Sequence, residues 1–422
     1  MKLQKIINRL QKLHPKEIDL SLDRIKNLCK KLGNPQDEIN CIQVCGTNGK
    51  GSTISFLRSV LREANIKCNI YTSPHVQRIN ERFVYNDEVI SDEDLANLLI
   101  KIEEVNNGQS LTYFEALTSA FFYGCKKYKK NLVIAEFGLF GRGDAVNILK
   151  KNLCNIVTSC SEDHLDWLPK NDRTIERIIF EKTSSLLNSN IIVAKQRSDK
   201  ITECIKKNIF NNNANKYFFN ESYNFVLKEN DFFYYEDKYG GLKIPKPTMN
   251  GQFQIENAST AIATLRILEN LKIKDQQITD GIKKANNTAR LEEIKSGKLK
   301  DLVKNNTLIL DSSHNPGGSK VLNDYLQTLE CKKHVIIGMM ANKDHEKYIS
   351  FFKNISSLTT VDIPNQKNAI GGMELKEKFK DIPNVQYKES IEQAIKSIPL
   401  KKNDLLIITG SLYLAGEVLN LN

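Results

Sequence analysis

Nowhere does the sequence contain an apolar run approaching the roughly twenty residues needed to cross a bilayer, so no membrane partner is expected. It also lacks a signal-like start. The stretch MKLQKIINRLQKLHPKEIDL carries charge in every turn and no small-residue cleavage site, which points to a mature cytoplasmic protein. Its nine cysteines (Cys29, Cys41, Cys45, Cys68, Cys125, Cys154, Cys160, Cys204, Cys331) are odd in number and include no C-x-x-C pair. Neither a zinc site nor a disulfide framework is expected, and the thiols read as reduced, mostly buried small apolar residues. There is no internal repeat, and the only biased segment is the asparagine-rich 211–215, a loop. Lysines are scattered, with only short clusters such as 126–130, and do not form a stripe interleaved with aromatics, which argues against nucleic acid as a partner.

What is present is enough chain for two or three domains: 422 residues, with the 40% hydrophobic and 26% charged composition of a folded soluble protein. Sixty-one Lys and Arg against fifty Asp and Glu leave a net +11, a bias toward anionic small molecules. Short apolar runs at 41–46, 67–71, 132–137, 155–159 and 191–194 alternate with helical periods at 52–63, 112–125 and 175–187, the rhythm of a parallel sheet covered by helices. Residues 217–242 alternate aromatic with polar side chains around Glu229-Asn230, as a hairpin does. After helical periods at 255–271 and 278–285, strands recur at 307–311, 335–338, 358–363, 385–387 and 405–410. The expected fold is α/β. It has an N-terminal P-loop-type, mostly parallel sheet domain with a small antiparallel addition over 1–287, and a C-terminal Rossmann-like α/β domain over 288–422. A cleft between the two is the default ligand site.

The sharpest local signal is CGTNGKGS at 45–52, a glycine-rich turn between an apolar strand and a helix. Glycines let backbone N–H groups converge on an anion, and the helix N-terminus adds partial positive charge. Lys50 reaches terminal phosphates, and the Ser52 hydroxyl can ligate a divalent cation. The spacing departs from the strict pattern, with Val44 in place of the first glycine and Gly51 between Lys50 and Ser52. Glu136 ends the run LVIAE, which puts its carboxylate at the carboxyl edge of the sheet, where open α/β sheets bind ligands. The bland alternatives are an empty turn and a surface acid.

The loop, together with TSPHVQRINER at 72–82, LTYFE at 111–115, AEFGLFGRGDA at 135–145, SEDHLDW at 161–167, ARLE at 289–292, DSSHNP at 311–316, GMMANKD at 338–344 and TGSLY at 409–413, resembles the folate branch of the Mur-type amide ligases. That branch is the bifunctional dihydrofolate synthase/folylpolyglutamate synthase family, and the likeness runs in order from about residue 13 to 416. The resemblance implies ATP and two Mg2+ ions as cofactors, with dihydropteroate, reduced folates and L-glutamate as small-molecule partners; since nothing in the sequence resembles an assembly segment, a monomer is expected. It implies nucleotide contacts by Thr47, Asn48, Gly49, Lys50, Gly51, Ser52, Asn257, Arg290 and Asp311, and metal ligation by Ser52, Ser73, Glu136, His164 and Lys182. The family carries a carbamylated lysine where Lys182 stands, a metal ligand or a positioner of phosphate; unmodified, Lys182 would read as a solvated helix lysine. The pterin side would be formed by Lys12, Leu13, His14, Pro15, Thr112, Tyr113, Phe114, Glu115, Gly143, Asp144 and Ala145, and the glutamate side by His314 and Ser411. Lys50, Lys182, Arg290 and His314 are the implied catalytic residues.

Departures from the family pattern lie mostly near the pterin loop and the second metal: Phe140 stands for a glycine, Gly143 for a leucine, Val146 for a threonine, Ser161-Glu162 for apolar residues, Thr183-Ser184 for Ala-Gly, and Ser313 for an alanine. The implied reaction phosphorylates a carboxylate with ATP and lets the amine of L-glutamate displace the phosphate. Ligation to another carboxylate, folylpolyglutamate synthesis alone, and a nucleotide-dependent binding protein are the alternatives.

Overall fold

The computed structural model describes residues 2–16, 18–228, 231–380, 382 and 384–422. The chain divides into two compact units. One runs to Cys160 and resumes over Thr174–Lys246 and Glu256–Ala285; the other comprises Ser161–Arg173, Pro247–Ile255 and Asn286–Asn422. The last division lies two residues before the expected one. Two short excursions, 161–173 and 247–255, leave the first unit for the second, and no compositional break marks them in the sequence.

In the first unit the strands are β1 (Asn40–Cys45), β2 (Cys68–Tyr71), β3 (Phe83–Tyr85), β4 (Glu88–Val89), β5 (Leu132–Glu136), β6 (Cys154–Val157), β7 (Asn190–Val193) and β8 (Lys216–Phe218). They form one sheet in the order β4-β3-β2-β5-β1-β6-β7-β8. All neighbours pair in parallel except the β2-β3-β4 edge. The central strands are buried on both faces, which is why they read as continuous apolar runs and not as alternation. Beneath them Phe121 stacks between Tyr71 and Tyr85, at centroid distances of 4.9 and 5.5 Å.

The antiparallel addition is three-stranded: β9 (Tyr223–Leu227), β10 (Phe232–Asp237) and β11 (Gly240–Pro245). Its anticipated turn, Glu229-Asn230, lies outside the described residues. Residues 217 and 218, expected to begin the hairpin, instead belong to β8, which joins the parallel sheet by pairing with β7. A half-exposed edge strand alternates like a hairpin strand, so periodicity alone does not separate the two.

The second unit carries β12 (Glu292–Glu293), β13 (Thr307–Leu310), β14 (Lys333–Ile337), β15 (Ser357–Val361), β16 (Val385–Lys388) and β17 (Leu405–Thr409), in the order β12-β13-β17-β14-β15-β16. Only the short β12 is antiparallel. All nine cysteines are free; seven are buried, while Cys204 and Cys331 are partly exposed. No described helix is long and apolar enough to cross a membrane.

Candidate active site

β1 delivers the glycine-rich turn to the helix Lys50–Glu63. Gly46 (φ 130°) and Gly49 (φ 90°) are left-handed, and their surroundings admit no side chain. A Cβ on Gly46 would lie 2.1 Å from Thr158 Oγ1, and one on Gly49 would lie 2.5 Å from Asn257 Oδ1. Asn257, expected as a nucleotide contact, is thus packed against the loop. The N–H groups of Thr47 and Asn48 both donate to the Ser159 carbonyl (2.9 and 3.0 Å), which fixes the loop's path. The anion-facing N–H groups are therefore those of the first helical turn, beginning at Lys50, where Gly51 and the buried Ser52 follow. Lys50 Nζ donates to the carbonyls of Gly46 and Thr47, both at 3.1 Å, and lies 3.8 Å from Glu136 Oε1.

Glu136, buried at the end of β5, accepts the Ser73 N–H at 3.1 Å. The Ser73 hydroxyl is buried with no hydrogen-bond partner. An orphaned hydroxyl on the residue that holds the carboxylate supplies the oxygen donors a hard divalent cation takes, so Ser73, Glu136 and Ser52 fit the metal expected there.

Lys182 is not the solvated helix lysine that an unmodified side chain was expected to be. It is 2% exposed, and its ammonium donates to the carbonyls of Gly46 (3.0 Å) and Leu139 (2.8 Å) and lies 5.6 Å from the Phe140 ring centroid. The helix Ile175–Thr183 explains the burial, since Ile178, Ile179 and Lys182 share one buried face at helical spacing. His164 belongs to the second unit, whereas Ser52, Ser73, Glu136 and Lys182 belong to the first. The residues expected at the first metal, Ser52, Ser73 and Glu136, thus share one unit, whereas those expected at the second, His164 and Lys182, are divided between the two.

The anticipated pterin residues mostly brace one another. Asp144 is buried and accepts from Leu139 N (3.0 Å) and Val146 N (2.9 Å), and burial pushes its carboxyl up to about 6. It closes its own loop, in which Gly143 is left-handed (φ 78°) and Ala145 is buried. Thr112 and Glu115 form a capping box on the helix Tyr113–Cys125, with bonds of 3.2 and 2.8 Å. Phe114 is buried beside Gly138, and Tyr113 is partly buried. Lys12 and Pro15 are exposed, and Leu13 and His14 half-buried. His14 lies 3.6 Å from Asp19, Asp19 lies 3.4 Å from Arg24, and Arg24 bonds Glu115 at 3.0 Å, so this relay joins 12–15 to 112–115.

In the second unit Arg290 is flanked by two left-handed non-glycine residues, Ala289 (φ 56°) and Leu291 (φ 50°). Asp311 accepts Leu291 N (3.1 Å) and Ser313 N (2.9 Å), Glu292 accepts Ala289 N (2.8 Å), and Ser312 donates to the Ala289 carbonyl. These bonds hold the strained segment, and Arg290 lines a cavity of about 290 Å³ with Asn250, Asn287 and Lys295. Asp311 thus braces the segment that carries Arg290. Ser411 caps the helix Leu412–Leu421 by accepting Tyr413 N at 3.1 Å.

Asp163, to which the sequence reading gave no role, is the hub of this unit. Its carboxylate accepts from Lys343 Nζ (2.7 Å) and Asn315 Nδ2 (3.1 Å), with His314 Nε2 at 3.4 Å and His164 Nε2 at 3.7 Å. Burial would raise its pKa, but the charges of His164, His314 and Lys343 outweigh burial and hold it well below the usual carboxylate range. Lys343 was visible in GMMANKD, but nothing in the sequence paired it with residue 163.

Comparison with known proteins adds a lineage. The family model described as the Mur ligase middle domain matches residues 44–265, and that of the Mur ligase glutamate ligase domain matches 290–412. The chain is 29% identical over 432 residues to the dihydrofolate synthase/folylpolyglutamate synthase of Bacillus subtilis (strain 168), covering 94% of each. Among solved structures, E. coli FolC in complex with DHPP and ADP superposes with a TM-score of 0.88 at 27% identity, covering 99% of this chain and 97% of that one. The bifunctional folylpolyglutamate synthase/dihydrofolate synthase of Yersinia pestis, complexed with AMPPNP and Mn ion, gives 0.86 at 25% identity, with coverage of 99% and 97%.

Proposed function

The chain belongs to the Mur ligase family, and on that footing we propose that it is a dihydrofolate synthase/folylpolyglutamate synthase. It uses ATP to join L-glutamate to dihydropteroate and to reduced folates. The observation that carries the reading is the cluster at the sheet's carboxyl edge: Lys50 lies beside Glu136, which is tied to Ser73 with its unpartnered hydroxyl.

Amide formation from a carboxylate needs a leaving group on the carboxyl carbon, and ATP supplies it as phosphate, giving an acyl phosphate. The first turn of the helix Lys50–Glu63 receives the phosphates, and Lys50 stabilises charge on the oxygens in flight. Ser52, Ser73 and Glu136 would hold a divalent cation, Mg2+ in this reading, which when bound would supply positive charge to the crowded phosphate oxygens. Asn257 restrains the loop through Gly49, and Arg290, preset by its strained neighbours, supplies a second positive group to the nucleotide. The Asp163 hub orients His164, His314 and Lys343 for the incoming glutamate, whose carboxylates suit their charges. The enzyme works as a cytoplasmic monomer on small molecules.

Phosphate release with MgATP, compared with and without L-glutamate and with dihydropteroate, tetrahydrofolate or no acceptor, tests the reading. Release that needs both glutamate and an acceptor is expected with both pteridines. Release with tetrahydrofolate alone restricts the function to polyglutamylation, and acceptor-independent release contradicts it.

A further inference from the structure

We propose that Glu256 is a positioning residue for the nucleotide, held by Lys195 and Arg197 in a clip that fixes the two supports of the phosphate loop. The proposal rests on the ligase reading only in that a nucleotide occupies that loop.

Residues 195–197 follow β7, and every residue of the clip and of the loop it serves belongs to the first unit. The Gln196 side chain turns to the segment that shapes the loop. Its Oε1 accepts Cys160 N at 2.9 Å, and its Nε2 donates to the carbonyls of Ala194 (2.8 Å) and Thr158 (3.3 Å). Between Thr158 and Cys160 lies Ser159, whose carbonyl receives the Thr47 and Asn48 N–H groups. Thr158 itself, with Oγ1 donating to the Cys45 carbonyl at 3.0 Å, fills the space beside Gly46. Gln196 therefore anchors the first support.

Its two neighbours reach the second. Arg197 meets the Glu256 carboxylate as a fork, Nη2 lying 2.7 Å from Oε2 and Nη1 3.2 Å from Oε1, and Lys195 Nζ lies 3.2 Å from Oε1. The Lys195 ammonium is also 5.7 Å from the ring centroids of both Phe219 and Phe225, which narrows the space it can occupy. Glu256 is buried, whereas the Lys195 and Arg197 side chains are 38% and 32% exposed, so it is the carboxylate that depends on its partners. The next residue, Asn257, fills the space beside Gly49. Three consecutive residues after β7 thus fasten both walls of the phosphate loop, at Gly46 through Gln196 and at Gly49 through Glu256. Releasing Glu256 loosens the start of the helix Phe253–Ile267, which carries Asn257.

A fluorescent ADP analogue titrated into the wild type, Glu256→Gln, Arg197→Gln and the double variant, well below each melting temperature, tests the clip. Each single variant is expected to bind about tenfold more weakly, and the double variant no more weakly than the singles. Charge alone predicts the opposite sign for Glu256→Gln, since removing an anion near phosphates strengthens their binding. Unchanged or tighter binding by Glu256→Gln therefore overturns the proposal, even where its melt falls. Losses that multiply in the double variant overturn it too, because each residue then acts on its own. If Glu256→Gln does not fold, Lys195→Gln and Arg197→Gln decide: both weaken binding if they act through the shared carboxylate, and a loss confined to one overturns the proposal. A wild type that binds no ADP contradicts the nucleotide reading itself. None of these readouts needs turnover or an acceptor, so a failure of the ligase assignment remains separable from a failure of the clip.

Discussion

Lys50 and Lys182, carried by helices far apart in the sequence, donate to one acceptor: the Gly46 carbonyl oxygen lies 3.1 Å from the first ammonium and 3.0 Å from the second. The two cations converge on a left-handed residue, Gly46 (φ 130°). Glu136, 3.8 Å from Lys50, supplies the opposing charge.

Replacing Lys50 with Met removes the ammonium from the phosphates but leaves Lys182 on the shared carbonyl. Glutamate-dependent phosphate release should fall about a hundredfold or more, while the thermal melt moves by only a few degrees.

The oxygen donors at the end of β5 set the need for a divalent cation. Glu136→Gln keeps the acceptor for Ser73 N but loses the charge, and Ser73→Ala loses the orphaned hydroxyl. Each should raise the Mg2+ concentration that half-saturates nucleotide binding by about tenfold, measured by titrating Mg2+ against a fluorescent ADP analogue.

His75 makes the first unit acid-sensitive. Burial, then the charge of Arg82, lowers its pKa to about 4, and its Nδ1 accepts Arg82 Nε at 2.9 Å. An unfolded histidine titrates near 6.5, so its neutral form stabilises the fold above that value. As pH falls from 7 to 5 the unfolded chain takes up the proton and the folded chain does not, which costs roughly 1–2 kcal/mol. Urea midpoints at the two pH values should show this loss in the wild type and a smaller one in His75→Asn, which keeps an acceptor.

Strands that are buried on both faces announced themselves as apolar runs, and the phosphate loop carries its chemistry within eight contiguous residues, so both were legible. What stayed hidden depends on contacts across long separations. The link of Asp163 to Lys343 spans 180 positions, and the strain at Ala289 and Leu291 falls on residue types that give no hint of a left-handed backbone. Lys182 is an intermediate case. Its spacing from Ile178 and Ile179 placed it on the buried face, but its charge invited the opposite reading.

Asp163→Asn leaves His164, His314 and Lys343 without their shared anion. It should destabilise the protein by about 3 kcal/mol, read from chemical denaturation, and raise KM for L-glutamate about tenfold. Nucleotide affinity at the Lys50 loop should change little.

The most direct test follows the atoms of the bond being made. Dihydropteroate labelled with 18O in its carboxylate is incubated with enzyme, MgATP and L-glutamate, and both products are weighed. Activation as an acyl phosphate predicts a pteridine product that has gained one glutamate and keeps one of its two 18O atoms, with the other carried by the inorganic phosphate. Unlabelled phosphate, or labelled dihydropteroate recovered without glutamate, would contradict the account.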